Sequence, residues 1–477
     1  MAVKYKRPIF EMPEKFTSVP IIKKFVVTGL HGFQKRSISF SDNRLILVGE
    51  NGAGKTTVSR MLAYFLTCQW ALLSEYDFDV AELVFQIDGK DFESEFDKHK
   101  WEMAICAMDP EVIRNLSREE ARRFRNRLTH FGTFDSFEFE RLIKNLSGSL
   151  ESRKSLEGKT RDPFYEFVEI DYQMSRYFTG HVLYLPTYRR IEEERESFFE
   201  KSERTFPHER IRKKPFEIIS FGMEDVQKLI DAKTAEIGEY SRREQNSLSI
   251  NYLKKIIAKD FRNVDFGQFR EFSIETVMSV LDRVSDDILL PDDKVQLANT
   301  VLRAISVTCP SDLPDSEKIL CHYFLLLRQF DEKLKEREKC FSNFVSICNS
   351  YLKNKRIEYN SSDYSCSVVD CSDGRNRMGL KCERISEAKT CRSVDLKDLS
   401  SGEKQIVGLF SKLYLEKSDG LFVFIDEPEL SLSIDWQRRL LPDVVASENC
   451  KGLFAATHSP FIFDNELVEI VRGINEF

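Results

Sequence analysis

The sequence has no apolar run near the roughly 18 residues that a membrane helix needs. Its longest runs, such as Leu421–Ile425, are strand-sized. Met1-Ala2-Val3-Lys4-Tyr5-Lys6-Arg7-Pro8 lacks the apolar segment of a secretory signal, so a cytoplasmic location and no membrane partner are expected. None of the 11 cysteines forms a C-x-x-C pair, and the 7 histidines are dispersed. That leaves no metal site of usual spacing and points to free, mostly buried thiols. No H-N-H cluster or dense carboxylate constellation is present, and neither is an internal repeat. The net charge of −7 argues against wholesale coating of nucleic acid, while leaving room for a local basic patch.

What is present begins with Gly49-Glu50-Asn51-Gly52-Ala53-Gly54-Lys55-Thr56, a glycine-rich loop. The buried strand Leu45–Val48 precedes it, and a stretch apolar at helical spacing, Thr56 to Leu66, follows it. Glycine tolerates the dihedrals and close approach that let backbone N–H groups wrap phosphates. Lys55 is then expected to reach the β- and γ-phosphates, and the Thr56 hydroxyl to ligate Mg²⁺. Asn51, Gly52, Gly54, Lys55, Thr56 and Thr57 are the candidate ATP-binding residues of this loop.

Far along the chain, Leu421-Phe422-Val423-Phe424-Ile425 ends in Asp426 and Glu427. Two carboxylates at the C-terminal end of a buried strand lie where ligands bind in such sheets. Asp426 is expected to hold Mg²⁺ through water and Glu427 to polarise the attacking water as general base. Leu399-Ser400-Ser401-Gly402-Glu403-Lys404-Gln405 starts a helix, and Ser401 with the Gly402 backbone can donate to a phosphate. His458, directly after a strand in the frame Ala455-Ala456-Thr457-His458-Ser459-Pro460, fits a γ-phosphate contact.

The length suggests about two or three domains. Residues 1–107 read as a first lobe carrying the phosphate loop, with Asp88-Gly89 as a hairpin turn. Residues 108–355 read as a large, mostly helical insertion, a bundle rather than a protruding coiled coil. In it, Ser117-Arg118-Glu119-Glu120 has the form of a capping box. Two helical stretches are expected at 223–262 and 316–355, with Phe330, Leu334, Phe341, Phe344, Val345 and Cys348 repeating at helical intervals. Residues 356–477 read as a second lobe, opening on strands with a turn at Asp373-Gly374. The fold class is therefore α/β: a parallel sheet behind the phosphate loop, an antiparallel β-subdomain and a helical insertion.

These motifs, with Asp426-Glu427-Pro428-Glu429-Leu430-Ser431-Leu432, resemble the bilobed ABC-class ATPases related to SMC proteins, RecF and the OLD family. The resemblance is clearest over residues 21–96 and 356–477. It implies that Ser401 and Gly402 bind the γ-phosphate of a facing protomer, so that hydrolysis requires at least a head-to-head dimer, and a hexamer remains open. It also implies that the loop from Pro428 to Ser433 touches the opposite site. Tyr184-Leu185-Pro186-Thr187-Tyr188-Arg189-Arg190 and Phe221-Gly222-Met223-Glu224-Asp225-Val226 look like segments of bacterial antiphage ATPases, those of the PARIS system first and the Septu system next. Where many relatives carry His-Pro after the Ser-Leu, this chain has Ser433-Ile434. Gln86 is read as an ordinary strand residue, and the glutamine that senses Mg²⁺ in relatives is not identifiable.

The chain ends 19 residues after His458, so no fused Toprim nuclease is expected and the effector is expected to be encoded separately. The basic runs Arg118–Arg127 and Arg210–Lys214 are interrupted by Glu119, Glu120 and Glu209, which favours solvated or intersubunit faces over nucleic-acid contacts. The expected function is an oligomeric ATP-hydrolysing sensor of antiphage defence. It would hold a toxic effector, in the first instance a nuclease, and release or activate it on detecting a phage protein. The rivals are a RecF-like DNA-repair ATPase that clamps DNA, and a transporter ATPase, which the size of the helical insertion disfavours.

Overall fold

The computed structural model describes residues 19–30, 35–50, 52–106, 170, 174, 177–178, 181–185, 216–218, 222–263, 266–284, 289–306, 313–370, 392–416 and 420–474. The chain forms two compact units, one from Met1–Ser220 and Lys417–Phe477, the other from Phe221–Glu416. No described helix is long and apolar enough to cross a membrane.

In the first unit, β1 (Ile21–Thr28) and β2 (Arg36–Ser39) pair antiparallel. Strand β3 (Arg44–Val48) leads elsewhere, while β4 (Val80–Ile87) and β5 (Lys90–Asp97) extend the antiparallel sheet to the order β2-β1-β4-β5. Strand β4 alternates buried and half-buried residues, as a sheet with one covered face requires. Asp88 and Gly89 both take positive φ, 49° and 77°, which is the two-residue turn that matches strand twist.

The second sheet of this unit is parallel throughout. It contains β3, β6 (His181–Leu185), β7 (Phe216–Ile218), β11 (Leu421–Asp426), β12 (Cys450–Thr457) and β13 (Val471–Gly473), in the order β13-β3-β12-β11-β6-β7. Every residue of β11 is buried, and a strand covered on both faces is written as an unbroken apolar run. Strand β6 lies in a stretch whose composition suggests helix. Its five residues are too few to show a period of their own, and its partner β11 is remote in sequence.

Helices α1 (Lys55–Leu66), α2 (Trp70–Ser74) and α3 (Lys98–Cys106) complete the described part before β6. Helix α1 buries Val58, Met61, Leu62, Phe65 and Leu66, an i, i+3, i+4, i+7 stripe. Phe65 meets Phe25 and Trp70 edge-on at 5.8 and 5.3 Å, and Trp70 stacks on Phe96 at 5.2 Å. Some of the chain's 38 phenylalanines thus serve core packing between α1 and the antiparallel sheet.

In the second unit, α4 (Met223–Ile257), α5 (Ile274–Asp282), α6 (Pro291–Ser306) and α7 (Asp315–Tyr351) precede an antiparallel sheet of β8 (Lys355–Asn360), β9 (Ser365–Asp370) and β10 (Arg392–Val394). Helix α8 (Ser401–Leu415) follows. The two long helices expected from the sequence are α4 and α7. Each ends a few residues early, α4 before Lys259 at φ 61° and α7 where Leu352 turns extended. Helix α7 buries Phe324, Leu327, Leu334, Phe341, Phe344 and Cys348 along one face. Asp331 and Glu338 interrupt that face, and Arg283 reaches both at 2.9 and 2.8 Å. Tyr359 also donates to Glu338 at 2.9 Å, so the buried carboxylates are paired rather than orphaned. Cys68, Cys321 and Cys348 are buried, Cys366 and Cys450 are half-buried, and Cys340 is exposed.

Candidate nucleotide-binding site

Strand β3 ends at Val48 and feeds the glycine-rich loop. Gly52 and Gly54 sit at φ 79° and 94°, where L side chains are disfavoured, and a Cβ at either would meet nothing within 4 Å. Backbone conformation, not crowding, therefore demands glycine here. Gly54 is the residue before α1, no side chain caps that helix, and its first turn carries no acid. Its leading N–H groups are left to an anionic ligand.

Lys55 is buried, and its Nζ donates to the carbonyls of Gly49 at 2.8 Å and Glu50 at 3.0 Å. The same ammonium lies 2.8 Å from His458 Nε2. A Lys55 ammonium donating there requires Nε2 to be the accepting ring nitrogen. Burial pushes the Lys55 ammonium below its ordinary value, and the nearby carboxylates of Asp426, Glu427 and Glu429 oppose that shift.

Asp426 closes β11, and Thr56 Oγ1 donates to both of its carboxylate oxygens, at 3.0 and 2.8 Å. A hydroxyl and a carboxylate converging beside a phosphate-type loop are the donor set that suits Mg²⁺. No group of three or more His, Cys, Asp or Glu gathers among the described residues, and an ion held by Thr56 and Asp426 would draw its other ligands from phosphate and water. Glu427 follows at φ 53°, with its N–H bonded to the Ala456 carbonyl at 2.8 Å.

Two residues outside the expected set build the far wall. Glu429 accepts from Thr457 Oγ1 at 2.7 Å, from the His458 N–H at 2.8 Å and from the Ser459 N–H at 3.1 Å. Gln437, on α9 (Ile434–Val445), accepts from Ser459 Oγ at 2.7 Å and donates to the Leu432 carbonyl at 3.0 Å. Tyr184 on β6 accepts from Arg60 Nε at 3.3 Å, and burial, then the Asp426 charge, raise its hydroxyl well above the ordinary phenol range. Its tie to α1 was not visible in the motif that singled it out.

The structure thus brings Lys55, Thr56, Asp426 and His458 together, with Gly52 and Gly54 in the loop, Glu427 next to Asp426 and Thr57 next on α1. Ser401 and Gly402 lie in the second unit at the start of α8. There Ser400 and Glu403 form a capping box, and Lys355 pairs with Glu403 at 2.8 Å. Gln86 donates to Asp91, its cross-strand neighbour, at 3.0 Å, which is the ordinary strand role expected of it. Asn51, Ser117–Glu120, Pro186–Arg190, Phe221, Asp373-Gly374 and both basic runs lie outside the described residues.

A family model described as "AAA ATPase domain" matches residues 21–463. No curated protein matches the chain. Among solved structures, the chain is similar to an Smc head domain with an extended coiled coil bound to the C-terminal domain of ScpA, derived from Pyrococcus furiosus. That similarity has 12% identity over 95% of this chain and 93% of the other, with a TM-score of 0.35. A head-and-joint structure from Pyrococcus yayanosii gives 12% identity, 95% coverage of each chain and a TM-score of 0.29.

Proposed function

This chain belongs to the AAA ATPase domain family, and from that premise we propose that it binds and hydrolyses ATP at the loop between β3 and α1. The observation that carries the proposal is the meeting of Lys55, Thr56, Asp426 and His458 from three separate stretches of sequence. The loop N–H groups and Lys55 hold the phosphates, and His458 donates to the γ-phosphate. Glu427 takes the proton of the attacking water as its oxygen bonds the γ-phosphorus, while the bond from that phosphorus to the β–γ bridging oxygen breaks and ADP leaves with phosphate. Thr56 and Asp426 hold Mg²⁺, which when bound supplies charge neutralisation across the phosphates.

We further propose that Ser401 and Gly402 complete the site of a facing protomer, so that ATP binding drives assembly. Support comes from the signature-like sequence at the head of α8 and its rigid capping box. In this view the oligomer belongs to an antiphage system. It holds a separately encoded effector, a nuclease, and frees it when a phage protein is sensed; the motifs at Tyr184 and Phe221 support that assignment. The deciding experiment is native mass spectrometry of the Glu427→Gln protein, purified with ATP and its neighbouring gene products. A defined oligomer carrying a second protein supports this function. A dimer carrying only nucleic acid replaces it with DNA clamping.

A further inference from the structure

Glu429 collects three donors on one carboxylate, and all three come from the turn that presents His458. An ionised carboxylate is acceptor-only and takes three hydrogen bonds without leaving a proton to place. The backbone of His458 is thereby pinned on one side, while its ring reaches Lys55 Nζ at 2.8 Å on the other. Thr457 is fully buried, and its hydroxyl also accepts from the Ser459 N–H at 3.0 Å, which braces the turn from within. Gln437 closes the circuit from α9: it holds the Ser459 hydroxyl with its oxygen and the backbone of the 429–432 turn with its amide. The 429–432 turn follows Glu427 at φ 53° and itself contains Ser431 at φ 61°.

We propose that Glu429 is the positioning residue for His458: it transmits the placement of the turn after β11 to the ring that meets Lys55 and the γ-phosphate. This rests on the reading of His458 as a γ-phosphate contact. Glu429 reaches Lys55 by charge alone, and its hydrogen bonds all go to the Thr457–Ser459 turn, so the effect of those bonds on turnover passes through His458. A glutamine in its place keeps one acceptor oxygen for the two N–H groups but turns an amide donor toward the Thr457 hydroxyl. An alanine removes all three contacts.

The test is a double-mutant cycle in the full chain, with kcat and KM for ATP measured for Glu429→Ala, Glu429→Gln, His458→Ala and the Glu429→Ala/His458→Ala double variant. Glu429→Ala is expected to lower kcat about tenfold or more with KM changed by less than about threefold, and Glu429→Gln to fall between it and the parent. In the His458→Ala background, Glu429→Ala is expected to cost less than about a further twofold. An undiminished cost in that background overturns the proposal, because Glu429 would then act on something other than His458. If the parent protein hydrolyses no ATP, the ATPase reading fails instead, and amide hydrogen exchange over residues 455–462 decides the positioning role. Protection lost in Glu429→Ala and retained in His458→Ala supports it; protection unchanged in Glu429→Ala overturns it.

Discussion

The Thr56 hydroxyl lies within 3.0 Å of both carboxylate oxygens of Asp426, 370 residues further along the chain. A side chain on the first turn of α1 and one at the end of β11 thus converge on one point. Thr56→Val keeps the shape and removes the oxygen. It is expected to weaken Mg²⁺-dependent ATP binding by about tenfold or more, the cost of one hydrogen-bonding group beside a charge. Thermal shift with ATP plus Mg²⁺, compared with ATP plus EDTA, reads this directly. A variant whose Mg²⁺-dependent shift equals that of the parent rules out Thr56 as a ligand.

Lys55 supplies a pH signature. Its burial holds the ammonium below the ordinary value of 10.5, so the folded chain gives up that proton at lower pH than the unfolded chain does. Between those two points the unfolded state binds more protons, and ligand-free stability rises with pH. Below the folded value the full desolvation penalty opposes folding. ATP binding at this loop is expected to run the other way, because a phosphate contact by Lys55 needs the charged form. Lys55→Ala is expected to abolish ATP binding and to flatten the alkaline stability slope. Urea unfolding without nucleotide, over the alkaline range below the ordinary value of 10.5, checks the second point. Identical slopes in parent and variant would show that Lys55 is not the group responsible.

How far the sequence discloses these features depends on how local each one is. The glycine-rich loop is legible because two glycines at positive φ, a lysine and a hydroxyl fall between Gly52 and Thr56. Strand β11 is legible because burial on both faces leaves five apolar residues before its carboxylates. Helices α4 and α7 are legible through their period, though not their ends, which depend on single residues leaving helical geometry. Strand β6 is hidden because its place beside β11 is a pairing over a long separation. The Glu429 anchor is hidden for a different reason. It appears in sequence as one more acid of an acidic turn, and only the approach of the turn after β12 gives it three donors. The Arg283 pairing with Asp331 and Glu338 is hidden likewise, since charges on an apolar helix face do not name their partner.

The start of α8 offers a stability test within the second unit. Burial pushes the Glu403 carboxyl up, but hydrogen bonds from Lys355 and Ser400 outweigh it and hold the group below its ordinary value. The stabilisation is therefore present above the unfolded value and is lost as pH falls through the lower, folded one. Glu403→Ala is expected to cost about 1–2 kcal/mol at neutral pH, the scale of a lost cap, with the deficit shrinking below about pH 4. Removing Lys355 as well is expected to recover part of the loss, because the single variant strands a mostly buried ammonium. Urea unfolding of the two variants at neutral and acidic pH tests both statements. A deficit that persists undiminished in acid contradicts the ionic account.

Asn43 ties the two sheets of the first unit together. Its side-chain oxygen accepts from the Ile22 N–H at 2.6 Å, and its amide donates to the carbonyls of Pro20 and Lys451 at 2.9 and 3.1 Å. Its own carbonyl accepts from the Leu453 N–H at 2.9 Å. The residue is buried and sits at φ 62°, a conformation that asparagine tolerates better than most side chains. Asn43→Ala removes three side-chain bonds and leaves a bulkier-than-glycine residue in left-handed geometry. Asn43→Gly removes the same bonds but relieves the backbone. Alanine is expected to destabilise by about 3–4 kcal/mol, a buried group left unpaired plus the left-handed penalty. Glycine is expected to cost about 1 kcal/mol less, the difference isolating the backbone term. Equilibrium unfolding of the three proteins measures both quantities. If alanine and glycine cost the same, hydrogen bonding alone makes asparagine necessary here; if neither destabilises, the clamp between the sheets contributes nothing.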